Sequence, residues 1–250
     1  LNRLLQADYS KEGNTTFNSY LERQDYDKNG NILALIRNGN MDTDGEQFEN
    51  MIDDLAYTYD TTNKNQLTKV FDATANQQGF KDDSNGIDDP TADYEYDING
   101  NMIRDDNKGI YSIAYNHLNL PTQIFFSNGS DISYLYNALG QKITKTVHDA
   151  SAGIGGAYVM TDYLSGFQYR NNVLQFFPHA EGYIVATPTA TGSTTYNYNY
   201  VFNYTDHLGN IRLSYGIDPA TNVLKIVEEN HYYPFGLKHT GYNSDLYLHA

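Results

Sequence analysis

A short pattern of tyrosine, aspartate and glycine returns along this 250-residue chain and limits what the chain can fold into. Its fullest copy, at residues 94–101, reads Tyr-Glu-Tyr-Asp-Ile-Asn-Gly-Asn. Related copies are centred on Tyr26, Tyr59, Tyr136 and Tyr204. The shorter separations between copies are roughly 20 residues, and self-similarity of this kind indicates a repeat architecture.

The physics of one copy predicts a β-hairpin. Tyr94 and Tyr96 are two residues apart, so in a strand they face the same side. Asp97 then takes the first position of a turn and Gly100 the fourth, which suits a type I turn followed by a left-handed residue. Met102 restarts a strand, so each copy predicts two strands joined by a tight turn.

The composition excludes several classes of protein. The chain has no cysteine, so it has no disulfide framework, thiolate metal site or cysteine nucleophile. Sixteen Lys and Arg against 31 Asp and Glu give a net charge of −15, which disfavours a nucleic-acid partner. No apolar run is long enough for membrane insertion. The 24 tyrosines carry large apolar rings, and they can supply a core that the low mean hydropathy conceals.

Alternation along the rest of the chain predicts an all-β fold, in which consecutive hairpins form a twisted or spiralling sheet ribbon. Residues 196–204 are the longest case, with five aromatic residues on one side and mostly asparagine on the other. These aromatic rings are predicted to pack against another layer of sheet. The one helical period lies in residues 45–57, so a short helical turn is predicted around Glu46 to Leu55.

The predicted organisation is a single repeat domain over residues 1–250. Repeats occupy residues 20–203, with insertions at 38–54 and 72–93. Residues 1–25 have no pattern of a secretory signal peptide, and the start at Leu1 predicts a piece of a longer product.

These motifs resemble a known family. The Tyr-x-Tyr-Asp-x-x-Gly-Asn pattern at residues 94–101 resembles the YD repeat of bacterial Rhs proteins, related toxin-complex components and teneurins. Asp-His-Leu-Gly-Asn at 206–210, followed by Tyr-Tyr-Pro-Phe-Gly at 232–236, resembles the start of the Rhs repeat-associated core. That core-like segment spans residues 204–243, and the resemblance as a whole covers roughly residues 20 to 243.

The resemblance implies a structural role. Rhs proteins are secreted or exposed at the bacterial cell surface, and their repeats wind a β-ribbon into a hollow shell. The shell of such a polymorphic toxin commonly encloses a variable C-terminal toxin, cut from the core by an aspartyl autoprotease downstream. By this resemblance the chain is a scaffold segment and not an enzyme, because any protease or toxin activity would lie beyond residue 250.

The expected partners follow from the fold and from the resemblance. A ribbon of hairpins leaves an open strand edge at each end, so the remainder of a longer chain or a partner protein is expected to cover these edges. A toxin cargo or the secretion machinery are further candidate partners. The alternatives are a cell-surface adhesin or glycan-binding module, and secreted cargo captured by its secretion machinery. An all-β hydrolase remains a third class, although adjacent carboxylates in a strand point to opposite faces and do not build its site by spacing.

No catalytic or cofactor-binding residue is predicted, and the metal candidates are weak. Asp42 and Asp44 lie in a segment similar to the first half of a calcium loop, but Met51 stands at the twelfth position where a bidentate glutamate is needed. Calcium binding by these two residues therefore remains an open candidate beside an acidic turn. The histidines have no spacing typical of a zinc site.

The working residues are predicted to be structural. The tyrosines should pack inward or against another layer, the aspartates should form turns, and the glycines should take left-handed conformations. This structural repeat signature consists of Tyr26, Asp27, Gly30, Tyr59, Asp60, Tyr96, Asp97, Gly100, Tyr136, Gly140, Tyr204, Asp206 and Gly209.

Overall fold

The computed structural model describes residues 3–9, 19–39, 50–74, 76–82 and 91–240. Within these ranges the regular elements are eighteen β-strands and one 3-10 helix of three residues. Neighbouring strands pair in antiparallel fashion, so the prediction of an all-β fold built from consecutive hairpins is confirmed. The described residues contain no helix that is long and apolar enough to cross a membrane.

Contacts divide the chain into two compact units, Leu1–Gly109 with His231–Ala250, and Ile110–Asn230. The single domain over residues 1–250 stays a prediction. In the first unit, β1 to β5 form one antiparallel sheet in sequence order, and β6 pairs with β7 as a hairpin. The strands of this unit are β1 (Gln6–Ala7), β2 (Glu22–Tyr26), β3 (Ile32–Asn38), β4 (Met51–Tyr59), β5 (Leu67–Asp72), β6 (Tyr94–Tyr96) and β7 (Met102–Asp105), with the 3-10 helix at Asp106–Lys108.

The first unit holds two buried hydrophobic clusters. One consists of Leu35, Leu55, Val70 and Tyr94, which lie on strands β3 to β6. The other joins Tyr20 and Ile52 to Tyr233, so residues from both ends of the chain share it. Burying one such side chain contributes roughly 1.5–3 kcal/mol, so these clusters supply much of the stability of the unit.

The second unit is a run of eleven strands, each antiparallel to the next. Tight turns join most of them, as the sequence pattern predicts. These strands are β8 (Ile110–Tyr115), β9 (Pro121–Phe126), β10 (Asp131–Tyr136), β11 (Lys142–Asp149), β12 (Ala157–Leu164), β13 (Phe167–Arg170), β14 (Val173–His179), β15 (Gly182–Pro188), β16 (Tyr196–Thr205), β17 (Ile211–Ile217) and β18 (Leu224–Glu229).

The predicted helical turn around Glu46 to Leu55 is wrong over its described part. Met51–Tyr59 is strand β4, which pairs with β3 on one side and β5 on the other. Ile52 and Leu55 are each only 2% exposed, and the burial of these side chains and the ladder hydrogen bonds override the local helical period. The insertion predicted at 38–54 therefore includes strand residues at both of its ends.

The remaining insertion and the calcium candidate are placed as follows. Asp72 ends β5, and the described residues between it and Tyr94 contain no strand or helix. The insertion at 72–93 stays a prediction. Asp42 and Asp44 lie outside the described residues, so calcium binding by them stays a prediction.

Candidate functional site: the repeated tyrosine and its turn

The turn at Asp97 explains why the repeat contains aspartate, glycine and asparagine at fixed positions. One carboxylate oxygen, Oδ1, accepts hydrogen bonds from the backbone N–H groups of Asn99 (2.9 Å) and Asn101 (2.8 Å). The other oxygen, Oδ2, accepts from the Asn101 side chain at 2.9 Å. Gly100 has φ +82°, a left-handed conformation that glycine adopts without strain, and its N–H donates to the Asp97 carbonyl at 3.0 Å. The aspartate, glycine and asparagine of the motif therefore build one hydrogen-bonded loop.

The same loop closes the first and last copies of the motif. Asp27 accepts from the Asn31 N–H at 2.9 Å and from the Asn31 side chain at 2.8 Å. Asp206 accepts from the Asn210 N–H at 2.9 Å and from the Asn210 side chain at 3.1 Å. Gly30 and Gly209 have φ +102° and +85°. Copies more than a hundred residues apart therefore share one loop geometry.

Two copies depart from this pattern, one in the length of the loop and one in the residue that begins it. Asp60 accepts from the backbone N–H groups of Thr62 (2.8 Å) and Asn63 (2.6 Å), and its loop is longer, closing at Gln66. Asn137 replaces the aspartate in a later copy, where its Oδ1 accepts from the Gln141 N–H at 3.0 Å. Gly140 has φ +76° in that copy. An amide oxygen therefore accepts the hydrogen bond of this turn as a carboxylate oxygen does.

Hydrogen bonds to these carboxylates favour their charged form. The Asn101 side chain, together with backbone N–H groups, lowers the pKa of Asp97 below its ordinary value. Backbone N–H groups of Asn63 and Thr62 lower the pKa of Asp60. Burial raises the pKa of Asp206, but bonds from Asn210 and Leu208 outweigh it, so the net direction is again downward.

We expect the Asp97 carboxyl to titrate below the ordinary range of aspartate, and Asn101→Ala to move its midpoint upward. The sign follows from linkage: because the folded pKa is depressed, the contribution of the loop is present above the ordinary aspartate pKa. It is lost as pH falls through the folded pKa. Carboxyl-detected NMR titration measures this midpoint directly. Equal titration midpoints of Asp97 in the parent and the variant would contradict the statement that the Asn101 side chain lowers the pKa of Asp97.

A β-bulge marks the residue directly before the turn aspartate or asparagine, which is tyrosine in four copies and Thr205 in the last. The pairing of the two hairpin strands shifts by one residue at this position, which bends the strand and turns its end toward the loop. The shifts fall between Asp25 and Tyr26, Thr58 and Tyr59, Glu95 and Tyr96, Leu135 and Tyr136, and Tyr204 and Thr205.

Three of the motif tyrosines join their hairpin to the hairpin before it. The Tyr59 hydroxyl donates to the Ile32 carbonyl, and the Tyr96 hydroxyl donates to the Leu67 carbonyl, each at 2.8 Å. Tyr136 donates to the Pro121 carbonyl, also at 2.8 Å. The acceptor in each case is the first residue of the last strand of the preceding hairpin. The tyrosine is therefore a lateral tie between successive repeats, a role that the sequence pattern alone did not reveal.

Burial of these rings keeps their hydroxyls protonated as donors. It raises the pKa of Tyr59, Tyr96 and Tyr136, with the Asp27 charge adding to the effect at Tyr59. Each hydroxyl therefore stays protonated, and able to donate, to a higher pH than an unburied tyrosine would.

Replacing Tyr96 with phenylalanine should destabilise the chain by about 0.5–1.5 kcal/mol, because it removes the hydrogen bond and leaves the ring in place. Urea unfolding followed by circular dichroism measures the difference. Tyr204→Phe is the matched control, since its hydroxyl lies on an exposed ring, and it should change the free energy of unfolding by less than about 0.5 kcal/mol. A loss in the control as large as in Tyr96→Phe would contradict the tie.

The inward packing predicted for Tyr204 is wrong, since this side chain is 69% exposed. Tyr204 lies two residues before Asp206, whereas Tyr59 and Tyr96 lie directly before Asp60 and Asp97. Successive side chains of a strand point to opposite faces, so Tyr204 points away from the face that the tie tyrosines use, and Thr205 takes their position. Tyr26 is half-buried, and the Arg3 guanidinium lies 5.5 Å from its ring centroid.

The aromatic face of β16 is more open than predicted. Tyr198 and Tyr200 are 53% and 55% exposed, while Val201 on the opposite face is 5% exposed. The rings contact one another along the sheet: the Tyr198 ring centroid lies 6.0 Å from that of Phe177, and Tyr200 stacks on Phe202. The layer of sheet predicted to cover this face is not seen among the described residues.

A buried charged row crosses the first unit, and the sequence did not indicate it. Glu22 on β2 pairs with Arg37 on β3, which in turn pairs with Asp53 on β4. Both carboxylates are 0% exposed. Arg37 Nε lies 2.9 Å from Asp53 Oδ2 and 3.9 Å from Glu22 Oε2, and the Phe80 N–H donates to Asp53 Oδ1 at 2.5 Å. Asp53 is therefore a core residue.

Two carboxylates share one guanidinium in this row, and their pKa values move upward. Burial raises the pKa of Glu22, and the nearby Arg37 charge only partly opposes it. Burial also raises the pKa of Asp53, against the Phe80 N–H and Arg37. A raised folded pKa means that their contribution to stability is full in acid and falls as pH rises. This dependence is opposite to that of the turn aspartates.

Comparisons with known proteins give structural similarity at low sequence identity. No family model matches the chain, and no curated protein matches it. The crystal structure of TcdB2-TccC3 without its hypervariable C-terminal region matches 94% of this chain, with 15% identity and a TM-score of 0.38. A crystal structure of TcdB2-TccC3 covers 86% with 16% identity and a TM-score of 0.37. The Photorhabdus luminescens Tc holotoxin pore covers 87% with 12% identity and a TM-score of 0.36.

This chain spans 14% of the length of each of these three matched chains. The function proposed for it therefore rests on its own residues, their geometry and the motif resemblance.

Proposed function

We propose that this chain is a structural segment of the β-shell of a secreted or surface-exposed bacterial Rhs-type polymorphic toxin. In that role it encloses or presents a C-terminal effector. The observation that carries the proposal is the lateral tie from Tyr59, Tyr96 and Tyr136 to the preceding hairpin. The signature residues of each repeat close the loop or join neighbouring hairpins. Repeats joined in this way extend a wall of β-sheet, and they do not bring reactive groups together at one site.

The second unit supports this role by the way it exposes apolar surface. Both buried hydrophobic clusters of the described residues lie in the first unit, so the eleven strands of the second unit have no such cluster of their own. Its last strand, β18, pairs on one edge with β17, and Leu224, Ile226 and Val227 are 63%, 44% and 53% exposed. An apolar edge of this kind calls for a covering strand or partner.

The chemistry of the described residues is consistent with a structural role. No group of three or more His, Asp or Glu side chains there is arranged to hold a metal ion. The carboxylates of the motif are engaged in their own turns, as Asp97 is with Asn101. The motif resemblance to YD repeats and to the start of the Rhs core adds the expectation of a shell wall.

The test is limited proteolysis of the complete gene product that carries this chain, combined with electron microscopy. We expect a β-walled cavity, with the segment C-terminal to these repeats resisting protease far longer than when that segment is expressed separately. Equal digestion of the C-terminal segment in both forms, or a product without an enclosed cavity, would contradict the shell.

A surface adhesin is the second candidate, and the exposed aromatic face of β16 favours it. Tyr198 and Tyr200 lie half open beside Phe177, a surface suited to contact with a partner. If the chain is an adhesin, replacing both tyrosines with serine should abolish its binding to whole cells. Tyr111→Ser, at another exposed ring (59%), is the control. Unchanged cell binding in the double variant would dismiss this candidate.

A further inference from the structure

Asparagine directly precedes glycine at four described positions, Asn29, Asn38, Asn99 and Asn128. In such a pair the backbone nitrogen of the glycine can attack the side-chain amide carbon of the asparagine, because glycine has no side chain to obstruct the approach. A C–N bond forms, a cyclic imide closes, and ammonia leaves. Water then opens the imide at either carbonyl and gives aspartate or isoaspartate. The net reaction is hydrolysis of one side-chain amide.

Burial and hydrogen bonding protect Asn38. This residue ends β3, and it is only 1% exposed. The N–H of Gly39 donates to the Asn50 carbonyl at 2.8 Å, so the attacking nitrogen is held against a neighbouring segment. The other three asparagines are exposed. Their reactivity therefore depends on the turns in which they lie.

The three exposed asparagines occupy turns of the same geometry. In each turn the glycine is left-handed, with φ between +82° and +102°. Each glycine N–H donates to the carbonyl of the residue that begins the turn: Gly30 to Asp27 at 3.3 Å, Gly100 to Asp97 at 3.0 Å, and Gly129 to Phe126 at 3.0 Å. The turn between β9 and β10 is therefore the loop of the repeat, with Phe126 in place of the aspartate.

The motif aspartate also contacts the glycine nitrogen of its own turn. The Gly30 N–H donates to Asp27 Oδ1 at 2.7 Å, and the Gly100 N–H is among the donors that lower the pKa of Asp97. The glycine nitrogen must lose its proton as it attacks, and a carboxylate beside it disfavours the resulting negative charge. Phe126 places no such charge beside the attacking nitrogen in the β9–β10 turn.

The backbone N–H after the glycine makes a second difference. In the turn at Asp97 the Asn101 N–H donates to the aspartate at 2.8 Å. In the β9–β10 turn the corresponding donor is the Ser130 N–H, and it donates to Asn128 Oδ1 at 2.9 Å. This oxygen gains negative charge as the imide closes, and a donor already aimed at it stabilises that charge. Both differences favour reaction at Asn128.

We propose that Asn128 is a site of spontaneous deamidation, and that the motif aspartates protect Asn29 and Asn99 from the same reaction. The product adds a carboxylate to the turn, and isoaspartate also adds one carbon to the main chain. The Ser130 hydroxyl accepts from the Ala150 N–H at 3.1 Å, which links this turn to the turn after β11. A longer main chain displaces Ser130 and breaks that link. The site is independent of the shell role, because it uses neither the tyrosine ties nor the sheet edges.

The experiment incubates the whole chain in mildly alkaline buffer and follows each Asn-Gly pair by peptide mapping with mass spectrometry. Electron-based fragmentation separates isoaspartate from aspartate. We expect Asn128 to lose its amide at least about tenfold faster than Asn29, Asn38 or Asn99. Loss at any of these three that matched the loss at Asn128 would overturn the proposal.

Hydrogen exchange measures the structural consequence in the same incubated samples. The Ala150 amide should exchange faster in the incubated chain than in the fresh chain, because its acceptor on Ser130 is displaced. Asn128→Gln should abolish this difference, since the longer glutamine side chain closes an imide far more slowly. A difference that persisted in Asn128→Gln would overturn the assignment to Asn128.

The variant Asp97→Asn tests the protective charge and keeps the loop. Asparagine begins the same kind of turn at Asn137, whose Oδ1 accepts from the Leu139 and Gln141 N–H groups at 2.9 Å and 3.0 Å. We expect Asp97→Asn to speed loss of the Asn99 amide at least about threefold. Circular dichroism melting checks that the fold is retained.

Asp206→Asn is the matched control. It makes the same change in a turn where Leu208 precedes the glycine, so it should alter the rate at neither Asn99 nor Asn128. An unchanged Asn99 rate in Asp97→Asn, or an equal acceleration in Asp206→Asn, would overturn the protection by the motif aspartate.

Discussion

Replacing Arg37 with methionine is expected to lower the free energy of unfolding of the first unit by about 3–5 kcal/mol. The guanidinium lies 2.9 Å from Asp53 Oδ2 and is the positive charge that faces both Glu22 and Asp53. Methionine keeps much of the side-chain volume, so the loss comes from leaving two fully buried carboxylates without their cation. Urea unfolding at neutral pH measures this loss.

The variant Arg23→Met is the matched control. Arg23 lies on the same hairpin but is exposed, so its replacement should change the free energy of unfolding by less than about 0.5 kcal/mol. Adding Glu22→Gln to Arg37→Met should recover part of the loss, because it removes one of the two stranded charges. Lowering the pH should also recover part of it, since both carboxyl pKa values are raised and protonation neutralises these groups. If neither a lower pH nor Glu22→Gln reduced the loss of unfolding free energy, the electrostatic explanation would be contradicted.

Replacing Gly182 with alanine should destabilise the second unit by about 1–3 kcal/mol. Gly182 lies at the start of β15 opposite Phe202 on β16, and an added Cβ would fall on the Val201 carbonyl oxygen of the neighbouring strand. Backbone atoms cannot rotate away as a flexible side chain can, so β15 and β16 must separate locally. Thermal unfolding and amide hydrogen exchange along β15 and β16 measure the effect.

Gly100→Ala gives the comparison that isolates steric overlap from backbone strain. Its Cβ would meet nothing within 4 Å, and only the left-handed φ of +82° opposes it, at a cost of about 1 kcal/mol. Hydrogen exchange should then rise along β15 and β16 in Gly182→Ala alone. Unchanged exchange in these two strands would mean that the sheet accommodates the methyl group and that the predicted overlap is wrong.

The hairpins could be predicted because their determinants are local. Asp97, Gly100 and Asn101 all lie within five residues, and the bonds that they form close a loop inside that stretch. The alternation of Tyr94 and Tyr96 likewise needs no knowledge of distant residues. The exposed β16 tyrosines show the limit of this reasoning, because alternation separates two faces without saying which of them another layer covers.

The lateral ties and the charged row depend on residues that lie far apart in the sequence. The Tyr96 hydroxyl reaches the carbonyl of Leu67, and a backbone acceptor leaves no mark on the amino-acid type. Arg37 meets Glu22 and Asp53 through the register of three strands, and a shift of one residue would place it on the other face. Strand β4 forms where the local period predicts a helical turn for a related reason, since the burial of Ile52 comes from tertiary contacts.

The backbone acceptor of each tyrosine tie also bears on how such a chain can change in evolution. Ile32, Leu67 and Pro121 are three different residue types, and each accepts through its backbone carbonyl, proline included. A hairpin duplicated or deleted by recombination would find the same acceptor on whatever hairpin came before it, so no compensating substitution is required at the new junction. A joint of this kind lets the number of repeats vary by whole hairpins.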